Sequence, residues 1–161
     1  MKPATASTPS DTQVEVIRGF DSPVNLVWKM FTEQELVSRW MLGPPGWSMP
    51  VCEMDFRVGG KYENRFRNDE DGTEFGWVGE FREIETQRQI IHDESYGLAG
   101  DTDEMSNTSV VTITFQENGN GTRVNTLIEY ASQEARDAAL ATGMTVAMEM
   151  GYQRIDDLLV G

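Results

Sequence analysis

The chain is short of the residues that most often carry covalent or metal chemistry. Its 161 residues include one cysteine and one histidine. Cys52 alone closes no internal disulfide, which fits a reducing cytoplasm, the expected location. With His92 as the single imidazole, neither common zinc ligand set can be assembled, and His92-Asp93-Glu94 lacks the HExxH spacing of a metalloprotease. There is no G-x-S-x-G elbow. Gly59-Gly60-Lys61 lacks Walker spacing and reads as a hairpin turn. Basic residues are scarce as well, 13 against 27 acidic, for a net charge of −14. A surface of that sign repels phosphate backbones and anionic lipid, so neither nucleic acid nor a membrane is an expected partner. No apolar run approaches the ~18–20 residues that span a bilayer. Met1 to Gln13 holds Thr, Ser, Ala and Pro without an apolar stretch, so it is no signal peptide; residues 1–11 read as a disordered tail. Residues 12–161 are the length of one domain with one core.

What is present is a change of hydrophobic period. Val14, Val16 and Phe20 mark a first strand. Asp21-Ser22-Pro23 reads as a helix start with Ser22 as cap and Pro23 in the first helical position. Val24, Val27, Trp28 and Phe31 then form one apolar face. Thr32-Glu33-Gln34-Glu35 reads as a capping box for a second short helix burying Leu36 and Trp40, and Gly43-Pro44-Pro45-Gly46 stops it. Beyond this elbow the period becomes two. Cys52, Met54 and Phe56 alternate with Glu53, Asp55 and Arg57; Tyr62, Asn64 and Phe66 alternate with charges. Phe75, Trp77 and Phe81 follow on a strand whose Gly76 and Gly79 mark the expected bend. Gln89 to Ser95 and Val111 to Phe115 add two strands, and Asn118-Gly119-Asn120-Gly121 predicts a hairpin into Val124–Tyr130. Ser132 caps a helical remainder broken near Gly143, with Met144, Ala147, Met148, Gly151, Ile155, Leu158 and Leu159 on its apolar face and Glu149, Arg154, Asp156 and Asp157 opposite. The fold class is α+β: a curved antiparallel meander of about six strands after the elbow, closed by a long C-terminal helix around an apolar space.

Several motifs in this order resemble a known superfamily. They are Phe20 with Ser22-Pro23, Trp40 with Gly43-Pro44, the run Asp55 to Tyr62, and Gly79-Glu80-Phe81. Gly121-Thr122-Arg123-Val124, Gly143-Met144 and Gly151-Tyr152 complete them. Together they resemble the helix-grip (SRPBCC) superfamily of START domains, Bet v 1 and polyketide cyclases, closest to the bacterial branch similar to the C-terminal domain of the activator of Hsp90 ATPase. The resemblance covers about Val14 to Leu159. It implies a helix-grip fold with an internal cavity and leaves the reaction, if any, unassigned. Where members of that branch often have an aromatic after Trp40 and a tryptophan at position 152, this chain has Met41 and Tyr152.

The expected function is therefore binding of a small apolar or amphipathic molecule without catalysis. Its lining would be Trp40, Met54, Phe56, Tyr62, Phe66, Trp77, Phe81, Met144, Met148 and Tyr152, with Tyr62, Asn64, Trp77 and Tyr152 as orienting polar groups. No catalytic residue, metal or cofactor is assigned. Cys52 reads as a small buried hydrophobe and His92 as a hydrogen-bonded strand residue. Asp101, Asp103 and Glu104 lack the EF-hand ladder and read as a solvated loop. Two alternatives stay open: a chaperone partner, which the resemblance implies, and a cyclase- or hydrolase-like enzyme acting on an aromatic or polyketide-type substrate. The second requires His92 or Tyr62 to point inward beside a polar partner. The chain is expected to be a monomer or homodimer.

Overall fold

Alternation dictates which side chains the sheet turns inward. In β2 (Gln13–Phe20), Val14, Val16, Arg18 and Phe20 face the interior and are buried, while the residues between them stay partly or fully exposed. The computed structural model describes residues 3–41, 45–98 and 108–160. Its antiparallel sheet comprises β1 (Thr5–Ser7), β2, β3 (Trp47–Met54), β4 (Lys61–Asn68), β5 (Glu74–Glu85), β6 (Gln89–Leu98), β7 (Thr108–Asn118) and β8 (Gly121–Glu129). The spatial order is β1-β2-β8-β7-β6-β5-β4-β3. Strands β3 to β8 are a meander, and β2 pairs with its last strand. The elbow formed by α1 (Val24–Thr32) and α2 (Gln34–Trp40) carries the chain from β2 to β3 at the opposite edge. Helices α3 (Gln133–Ala141) and α4 (Met144–Val160) follow β8. Among the described residues no helix is long and apolar enough to cross a membrane.

The expected α+β helix-grip architecture is what the chain forms, and the local signals are informative where they are strong. Asn118 pairs with Gly121, and Gly119 takes φ 62°, the left-handed value a two-residue hairpin turn needs. Ser132 Oγ accepts from the Ala135 amide at 3.1 Å, capping α3. Gly143 at φ 81° separates α3 from α4.

Other expectations need correction. The segment read as a disordered tail carries an edge strand, Thr5–Ser7, paired with Glu15–Ile17. Pro23, not Ser22, is the residue before the first turn of α1, and no side chain caps that helix. Thr32 does not cap α2, because its hydroxyl donates back to the Trp28 carbonyl at 2.9 Å inside α1; Glu33 joins the two helices without a side-chain cap. Irregularities of register fall between Ser48 and Val51 and between Phe81 and Glu83, whereas Gly76 and Gly79 keep regular pairing with β4. Cys52 is half-buried rather than buried, its Sγ 3.8 Å from the Gln34 carbonyl.

The core lies where α1, α2 and α4 meet the middle of the sheet. Trp28 and Phe31 pack edge-on against Phe115 at 5.0 and 5.3 Å between ring centres, and Phe20 meets Tyr152 at 5.6 Å. Such geometry adds about 0.5–1.5 kcal/mol per pair beyond area burial. Helix α4 is fastened to β2 by charge. Arg18, 2% exposed, contacts both Glu149 and Asp156, and a fifth bond reaches the Gly19 carbonyl. Burial opposes the guanidinium's charge, but the two carboxylates outweigh it and raise its pKa further. Glu149 and Asp156 are therefore part of a buried tie and not, as their helical spacing implied, a solvated face.

Candidate functional site

On β6 the inward parity set by buried Ile90 continues through His92 and Glu94, while Asp93 turns outward to Arg82. On β4 the inward set is Tyr62, Asn64 and Phe66. Strand β5 lies between these two, so Tyr62 must cross it to reach β6. Gly79 makes this possible: it is the register partner of Tyr62, and a Cβ there would stand within 2.6 Å of Tyr62 Cε1 and Oη and collide with the Asp93 carbonyl. The missing side chain at Gly79 is the path of the Tyr62 ring.

The Tyr62 hydroxyl arrives 2.8 Å from the Asp93 carbonyl, 2.9 Å from His92 Nδ1 and 3.4 Å from Glu94 Oε1. It carries one proton and so donates to one of these acceptors at a time. His92 Nδ1 also lies 3.0 Å from the Asp93 carbonyl. Burial pushes the His92 pKa down, so the imidazole is neutral at pH 7. Burial pushes the Glu94 carboxyl up to about 7, against a smaller opposing pull from the Tyr62 hydrogen bond. Tyr62 itself is raised far above the ordinary phenol range by burial and by Glu94 and Asp93. Tyr130, just after β8, is pushed up to about 12 by burial and by the charge of Glu94, which puts Tyr130 in the same electrostatic neighbourhood. Its hydroxyl donates to Met144 Sδ on α4 at 3.4 Å. Glu94, His92, Met144 and Met148 are each half-buried, with part of their surface accessible.

The residues expected to line the cavity fall into separate groups. Trp40 and Tyr152 belong to the solid core: Trp40 Nε1 donates to the Met30 carbonyl at 2.6 Å, and both rings pack with Phe31. Phe66 and Trp77 stack with Phe75 towards the β4–β5 turn. There the Asn64 amide, oriented to accept, takes a 3.0 Å bond from Trp77 Nε1, so these two polar groups satisfy each other. Tyr62, Phe81 and Phe56 form a chain of rings next to His92, with Met54 partly buried beside them. Met144 and Met148 on α4 are partly buried, Met144 against the Tyr130 hydroxyl and Met148 against the core. Glu94 was not among the expected residues, although its parity with Ile90 on β6 identifies it as inward. Arg18 was missed for the same reason on β2. The acidic positions Asp101, Asp103 and Glu104 lie outside the described residues.

A curved antiparallel sheet closed by a C-terminal helix, with a two-helix elbow leading into its meander, defines the helix-grip class. Residues 21–160 match the family described as "Activator of Hsp90 ATPase homolog 1-like protein", and the chain belongs to that family. Solved structures agree over nearly the whole length. A protein from Rhodobacter sphaeroides is 26% identical with a TM-score of 0.87, and 98% of each chain is covered. A second, from Mycobacterium smegmatis, is 24% identical with a TM-score of 0.84, covering 98% of this chain and 97% of that one. A third, from Nitrosomonas europaea, is 24% identical with a TM-score of 0.79, covering 94% and 96%. Comparison with curated proteins gives no significant match.

Proposed function

We propose that the protein binds a small apolar or amphipathic molecule between the sheet and α4, with the polar end of the molecule against Tyr62, His92 and Glu94. The observation that carries this reading is the inward-facing trio beside Phe81 and Phe56, in which Tyr62 is buried while His92 and Glu94 keep part of their surface accessible. Sites of this kind combine an apolar wall with a few convergent polar groups. Native mass spectrometry of freshly purified protein, with titration of a fluorescent apolar probe, tests it. Retained small molecules, or saturable probe binding weakened by Met148→Trp, are expected. A protein that carries nothing and binds no probe overturns the reading.

A second reading is acid–base catalysis on an aromatic or polyketide-type substrate. One specific observation favours it: Tyr62 and His92 point inward, 2.9 Å apart, beside a carboxyl whose pKa lies near neutrality. Exchange of protons α to a carbonyl in an aromatic ketone, followed by NMR in deuterated buffer, is the measurement. A rate equal to buffer alone counts against it.

A further inference from the structure

Among the described residues, Glu94 differs from Glu149 and Asp156 in having no cation paired with it. Among the described residues its carboxylate meets the Tyr62 hydroxyl from β4 at 3.4 Å and no basic side chain. The rest of its surroundings agree. His92, on the same face of β6, is neutral at pH 7. From β7, the Ser109 hydroxyl donates to the Glu94 backbone carbonyl at 3.5 Å. Tyr130, which feels the charge of Glu94 and whose hydroxyl reaches Met144 Sδ on α4 at 3.4 Å, contributes a phenol. The charged groups of α4 nearest the sheet, Glu149 and Asp156, are held by Arg18, whose donors are all engaged. Arg154 donates to the Trp40 carbonyl, and Arg82 is turned outward to Asp93.

We propose that this pocket selects a small organic cation, an amine-bearing molecule with an apolar body, whose ammonium group pairs with Glu94. The inference deepens the pocket reading and rests on it. An ammonium brings three donors to a carboxylate whose charge burial opposes, and a charge-assisted bond is stronger than a neutral one. The faces of the Tyr62 and Tyr130 phenol rings attract a cation. The net charge of −14 concentrates cations around the protein before they enter. An anionic ligand head would meet Glu94 with no compensating charge.

The test uses three probes with one tail: octylamine, octanol and octanoate, titrated by calorimetry at pH 8 into the full chain and into Glu94→Gln. Octylamine should bind wild type roughly tenfold or more tighter than octanol, with octanoate weakest, and Glu94→Gln should bring amine and alcohol within about threefold of each other. With wild type alone, the amine preference should fall as pH drops from 8 to 6, with proton release at the lower pH; this arm needs no variant. Octanol binding as tightly as octylamine would leave the pocket standing and overturn the selection of a cation. An amine preference that survives Glu94→Gln and disappears at high salt would assign it to the acidic surface, and also overturns the proposal. If none of the three binds, the pocket reading falls and this inference with it.

Discussion

Asp156 and Glu94 are both carboxylates turned into the fold, and the molecule treats them in opposite ways. Asp156 meets Arg18 through two bonds of 2.9 and 2.7 Å, and Glu149 completes the tie. Among the described residues Glu94 meets no cation, and burial lifts its pKa from 4.5 to about 7. The first arrangement is a strut: it fixes where α4 crosses β2. The second costs stability at neutral pH and fixes no helix. An inward-facing group that weakens the fold is where function is to be sought.

The comparison breaks most visibly at Arg18. Arg18→Met leaves Asp156 and Glu149 inside without a cation and should cost about 3–5 kcal/mol in denaturant unfolding. Adding Asp156→Leu to that variant should recover part of the loss, since it removes the orphaned charge. A loss below about 1 kcal/mol in the single variant would mean that the tie is not structural.

Glu94→Gln should act in the other direction. Because the folded pKa lies above the unfolded one, the cost is absent below pH 4.5, grows between 4.5 and about 7, and is complete above 7. At 1.36 kcal/mol per pH unit this reaches about 3 kcal/mol. The variant should therefore match wild type near pH 4 and exceed it in stability by up to that amount at pH 8. Parallel stability–pH curves for the two proteins would show that Glu94 is not held protonated by burial.

The same contrast explains what was legible in the sequence. Strand order and the terminal helix follow from patterns that repeat many times, so Met54–Phe56, Tyr62–Phe66 and Val111–Phe115 each announce an inward face on their own. Arg18 and Glu94 break such patterns once each. A charge at an inward position looks like noise until a partner from a distant element, or the lack of one, is known. Trp40 and Tyr152 show the reverse limit: large rings at inward positions can fill a core or line a hollow, and only the approach of Phe20, Phe31 and α4 decides for the core. Gly79 looked like a bend because a glycine inside a strand carries no mark of what passes over it. Thr32 looked like a cap because its local competitor, the Trp28 carbonyl, is invisible without the preceding helical turn.

Gly79→Ala probes the unpaired acid from the side of its neighbour. The new methyl would occupy the path of the Tyr62 ring and press on the Asp93 carbonyl, so one of the two must move. A cost of about 1–3 kcal/mol is expected, together with loss of the tyrosine–histidine contact in NMR spectra. An unchanged His92 environment would mean that the ring reaches β6 by another route.

The smallest effect belongs to Tyr62→Phe, and it is the most discriminating. Deleting one hydroxyl from a half-satisfied cluster should cost about 1 kcal/mol, too little to disturb the fold. Its informative readout is the titration of Glu94. The Tyr62 hydrogen bond is the one influence that lowers the carboxyl's pKa against burial, so its removal should raise that pKa further above 7, followed by the side-chain carbon shift of Glu94. The Arg18 tie should be untouched, because no bond connects the two clusters. A Glu94 titration that stays in place would leave burial as the whole cause of the shift. It would also remove Tyr62 from the polar end of the pocket.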